Sequence, residues 1–69
     1  MSIKQLTETD CQINIQNEEY RLKITAGEKE KQKVRASIMI WERMLHHIKE
    51  GRKVFLETKD GEEYLQLED

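Results

Sequence analysis

Cysteine, proline and glycine are scarce in this 69-residue chain: one cysteine, no proline and three glycines. A lone cysteine, Cys11, excludes an intramolecular disulfide. No cluster of Cys and His has metal-ligand spacing, so no metal is expected. Gly27, Gly51 and Gly61 each fall at an element boundary, and none belongs to a phosphate-cradling loop. No apolar run approaches the roughly 20 residues that cross a bilayer, and Met1 to Asp10 holds no signal-peptide core. With a single free thiol, these absences point to a cytoplasmic protein without a membrane partner.

What the chain does have is charge. Charged residues make up 38% and apolar residues 36%, a balance that suits a folded domain better than a disordered tail. The net charge of −2 is unevenly spread. Residues 1–20 carry −3, residues 21–53 carry +6 and residues 54–69 carry −5. So short a chain buries a small core, and with neither disulfide nor metal the remaining staple is association, so a homodimer is expected.

Residues 1–10 show little pattern and read as a loose N-terminal arm before one small domain, 11–69. Cys11, Ile13 and Ile15 alternate with polar residues, as do Tyr20, Leu22 and Ile24. Period-2 alternation predicts two strands joined by a turn at Asn17-Glu18. From Glu28 the period changes. Val34, Ile38, Trp41, Leu45 and Ile48 are spaced 4, 3, 4, 3, which predicts an amphipathic helix of about 22 residues, roughly 33 Å long. Thr25 and Glu28 suggest its capping box, and Gly51 its stop. Asp60-Gly61 then centres a second hairpin, pairing Leu56 with Leu65 and Val54 with Leu67. The expected fold is α+β, in the order ββαββ, with the helix across an antiparallel sheet.

Candidate chemistry is thin. His46 and His47 are adjacent on a helix, point about 100° apart and cannot share a metal. Cys11 alternates with isoleucines and reads as a buried, inert thiol. No acid pair sits on an apolar face, so no catalytic residue and no cofactor is expected, and the chain does not read as an enzyme. Met39 lies off the helix seam, and Phe55 and Tyr64 are diagonal neighbours on the second face of the second hairpin. These three are the expected partner-binding residues. Lys31, Arg35 and Arg43 are the expected electrostatic contacts, within a basic helix 29–43 that gives nucleic-acid binding as the alternative. Against that alternative stand an acidic overall balance and no aromatic stacking platform.

The stretch Ile13 to Met44, INIQNEEYRLKITAGEKEKQKVRASIMIWERM, resembles the N-terminal half of the ZapA-like bacterial cell-division proteins. The matching features are an aromatic plus Leu closing a hairpin (Tyr20, Leu22), an acidic helix start (Glu28) and an Arg followed by a small residue (Arg35, Ala36). That family continues into a long coiled coil, whereas this chain ends in the Val54 to Leu67 hairpin. The resemblance implies a non-enzymatic, self-associating scaffold that binds the division polymer. The residues themselves point to a small interaction or regulatory protein, such as the host-directed inhibitors phages encode, acting on a partner protein.

Overall fold

A residue two positions along an α-helix lies about 200° round its axis. Apolar residues at every second position can therefore line opposite sides of a helix as well as one face of a strand. That is what residues 11–24 do. In the computed structural model, which describes residues 2–68, they belong to a 17-residue helix and not to the expected hairpin. The elements are β1 (Ser2–Gln5), α1 (Glu8–Ile24), α2 (Glu28–Lys49), β2 (Lys53–Lys59) and β3 (Glu62–Glu68). The class is α+β as expected, but the order is β-α-α-β-β in place of ββαββ.

The start of α1 is fixed locally. Thr7 and Asp10 form a capping box: Asp10 N–H donates to Thr7 Oγ1 at 3.2 Å, and Thr7 N–H donates to Asp10 Oδ2 at 3.0 Å. No glycine or proline interrupts the following 17 residues. Asn14 Nδ2 donates back to the Asp10 carbonyl at 2.8 Å, and the Thr25 hydroxyl donates to the Arg21 carbonyl at 2.6 Å as the helix ends. Thr25 therefore closes α1 and does not cap α2, whose N-cap is Gly27 with no side-chain bond.

Helix α2 keeps its expected bounds and length. It ends at Lys49 with Glu50 as C-cap, and Gly51 follows with a φ of +91° that only glycine adopts without strain. The second hairpin also keeps its expected register, with Val54 opposite Leu67 and Leu56 opposite Leu65. Asp60 (φ 54°) and Gly61 (φ 78°) make the tight turn.

Ser2–Gln5, expected within a loose arm, form β1 against β2, with Ser2 opposite Thr58 and Gln5 opposite Phe55. Met1 lies outside the described residues. Leu6 N–H then donates to the Val54 carbonyl at 2.8 Å, and Leu6 is buried. The sheet order is β1-β2-β3, all antiparallel.

Cys11, Ile15 and Leu22 turn toward α2 at helical spacing, while Ile13, Tyr20 and Ile24 turn away. Helix α1 packs on α2, and α2 alone reaches the sheet, through β2. Among the described residues Leu6, Cys11, Val34 and Val54 are the buried apolar ones. The molecule measures 37 × 30 × 15 Å between Cα extremes, a slab.

Candidate functional site: an open, acidic edge strand

Strand β2 is covered because it lies in the middle of the sheet and beneath α2. Val54 on β2 is 0% exposed and marks the face that α2 covers. Leu65 and Leu67 sit on that same face one strand further out, yet stand 38% and 48% exposed. The helix does not extend over β3, so the apolar side of this strand has no cover. All seven residues of β3 are exposed.

The opposite face of the sheet is open too. Ile3, Glu57 and Tyr64 form one cross-strand row, and Gln5, Phe55 and Gln66 the next. Phe55 and Tyr64 are thus diagonal neighbours, as the sequence predicted. The Tyr64 hydroxyl donates to Glu62, and Gln66 donates its amide to Glu57. The Glu62 bond, followed by partial burial and the Glu57 charge, raises the Tyr64 phenol above its ordinary pKa. Met39 does not join this pair. It is exposed on α2, about 140° round the helix from Val34, and α2 meets the sheet on the face opposite Phe55 and Tyr64.

The outer edge of β3 pairs with no described strand. Residues 60–69 hold five acids, Asp60, Glu62, Glu63, Glu68 and Asp69, and no base. A free edge is a template for another strand, and natural edges are usually guarded by lysine, proline or a bulge. This strand carries neither lysine nor proline of its own; its acids are Glu62, Glu63 and Glu68, with Lys59 and Lys53 of β2 opposite Glu62 and Glu68. The exposure of Leu65 and Leu67 was beyond sequence reasoning, because pairing registers carry no information on how far a helix reaches over a sheet.

The basic residues of α2 do not converge. Lys31 lies 3.8 Å from Glu28, and Lys33 3.5 Å from Glu30. Arg35 and Arg43 are exposed and about 80° apart round the axis. A groove of ≈ 230 Å³ between the helices is lined by Glu18, Arg21, Glu30, Lys33, Val34 and Ser37. Arg21 Nη1 donates to Glu18 Oε1 at 2.8 Å, while Glu18 Oε2 is buried without a protein hydrogen bond. Two acids, Glu18 and Glu30, and two cations, Arg21 and Lys33, leave this groove without net charge.

His46 and His47 have ring centroids 5.9 Å apart and different neighbours. His46 Nε2 is 3.8 Å from Glu50, and Arg52 Nη1 donates to His47 Nδ1 at 3.0 Å. Among the described residues no group of three His, Cys, Asp or Glu could hold a metal ion, and no helix is long and apolar enough to cross a membrane. Cys11 is fully buried, and burial, reinforced by the Asp10 charge, pushes its thiol pKa up. The residues that carry the ZapA-like resemblance on its hairpin side, Tyr20 and Leu22, lie in α1. No protein-family model, curated protein or solved structure matches the chain.

Proposed function

We propose that this is a non-enzymatic cytoplasmic protein that regulates a partner protein by binding an extended segment of it along β3. One observation carries the reading: a seven-residue edge strand exposed on both faces, with three acids and no base of its own, Lys59 and Lys53 of β2 standing opposite Glu62 and Glu68. An incoming strand would gain main-chain hydrogen bonds at the edge, and its apolar side chains would cover Leu65 and Leu67 on one face or Tyr64 on the other. The charge selects a segment in which Lys or Arg alternates with apolar residues.

A second copy is a poor occupant of this edge. Antiparallel self-pairing centred on Leu65 sets Glu62 opposite Glu68 twice, and like charges directly opposite destabilise a ladder. Occupying a strand edge of the partner is one way a small host-directed inhibitor would work. Nucleic-acid binding through α2 is less well supported, since Lys31 and Lys33 have acidic neighbours and the arginines diverge.

The test is fluorescence anisotropy with a labelled peptide alternating Lys with Val. The expected result is saturable binding that weakens with salt and is lost in Glu63→Lys with Glu68→Lys. A proline-interrupted peptide of the same charge controls for mere attraction. Equal binding of both peptides, or binding indifferent to the charge reversal, would overturn the reading.

A further inference from the structure

The chain exposes more surface than its size requires. A compact monomer of 8.3 kDa exposes about 4,600 Å² by the size scaling of folded proteins, whereas this one exposes 5314 Å². The excess, about 700 Å², is close to the roughly 800 Å² that each partner contributes to a standard interface. The acidic β3 edge opposes self-pairing, so a second copy needs another surface.

Helix α1 supplies it. On the side away from α2 lie Thr9, Ile13, Gln16, Asn17, Tyr20 and Ile24, all exposed and none charged. In a chain with 38% charged residues, this leaves an uncharged stripe about 22 Å long. Ile13 is 50% exposed, and Tyr20 and Ile24 are each 65% exposed. Charge depletion around a tyrosine is the composition of an interface centre.

The stripe is also palindromic. About a point between Gln16 and Asn17, Thr9 mirrors Ile24, Ile13 mirrors Tyr20, and Gln16 mirrors Asn17. A two-fold axis there would run two α1 helices antiparallel, each large side chain meeting its mirror position on the other copy. The helix ends agree. Glu8 and Asp10 occupy the first turn, Arg21 and Lys23 the last, so antiparallel pairing joins unlike charges and parallel pairing joins like ones.

We propose that two copies of this chain associate through an antiparallel α1–α1 contact in which Ile13 of each packs against Tyr20 of the other. This surface is separate from β3, so the dimer leaves the strand edge free and presents it twice.

Sedimentation equilibrium tests this, with far-UV circular dichroism confirming that each variant is folded. The unaltered protein is expected to be a dimer. Ile13→Glu alone and Tyr20→Lys alone are each expected to weaken association roughly a thousandfold, since each changes two central positions per dimer. Mixed together, the two folded variants are expected to restore a dimer, because Glu then meets Lys at one contact and Tyr meets Ile at the other. A parallel pair would show no such rescue. A protein monomeric up to millimolar concentration, variants that stay dimeric, or a mixture that stays monomeric would each overturn the proposal.

Discussion

Val54 and Leu67 face one another across the β2–β3 ladder on the same side of the sheet, but they differ in what lies above them. Val54 is 0% exposed beneath α2; Leu67 is 48% exposed. Truncating each to alanine tests whether α2 covers β2 and stops short of β3. Val54→Ala removes two carbons' worth of apolar transfer, about 1.6 kcal/mol at ~0.8 kcal/mol per group. A cavity term in a rigid central strand raises the loss to about 2–3 kcal/mol. A chain of this size has a total stability of roughly 3–10 kcal/mol, so a fifth or more of the margin disappears. The midpoint should fall by roughly 10–20 °C, at about 4–8 °C per kcal/mol for a small domain. Leu67→Ala removes a larger side chain that the fold leaves half in water, and should cost less than about 1.5 kcal/mol. Thermal melts followed by circular dichroism at one fixed protein concentration give both numbers, since association would make Tm depend on concentration. Equal losses, or a larger loss at Leu67, would refute the reasoning, because β3 would then be covered as well as β2.

Two smaller effects follow from the start of α1. Thr7→Ala should cost about 1 kcal/mol in urea unfolding, the worth of an N-cap side chain. Asp10 is held below its ordinary pKa of 3.8, first by the Thr7 backbone N–H, then by the Thr7 hydroxyl and Lys4. Its ionised form is the one folding favours, so the stability difference between the protein and Asp10→Asn should be full at neutral pH. It should fade as pH drops below the usual carboxylate range; a pH-independent difference in unfolding midpoint would remove the charge from the explanation. Cys11 should resist thiol reagents in the native protein and react at the unfolded rate in denaturant. Rapid native labelling would contradict its burial.

The C-terminal half was legible because its signals are local. The 4-3-4-3 spacing from Val34 to Ile48 has no strand counterpart, and Asp60-Gly61 fixes the register of the strands it joins. The N-terminal half was not, for two physical reasons. Ile13 and Ile15 are alternate positions that a helix sends to opposite sides. Because α1 has an apolar stripe on each side, Ile15 toward α2 and Ile13 toward solvent, it shows no single amphipathic face. The signal that could have separated the readings was Thr7 with Asp10 three residues on, a capping box with the shorter acid. Strand β1 has four residues, and its partners lie about fifty positions away, so nothing near Ser2–Gln5 announces the pairing.

The candidate site was legible in part. Phe55 and Tyr64 share the open face expected of them, but Met39 sits on a different surface, since a helix position says nothing of which sheet face the helix will cover. The exposed stripe of α1 came into view only once residues 8–24 were known to be helical.

Amide hydrogen exchange, residue by residue, with and without the alternating Lys-Val peptide, tests the central claim most directly. The β3 amides that point away from β2 should exchange rapidly in the free protein and become protected on binding, with the turn at Asp60-Gly61 and helix α2 unchanged. Protection that appears along α2 instead, or none on β3 at saturating peptide, would contradict the assignment of this edge as the binding site.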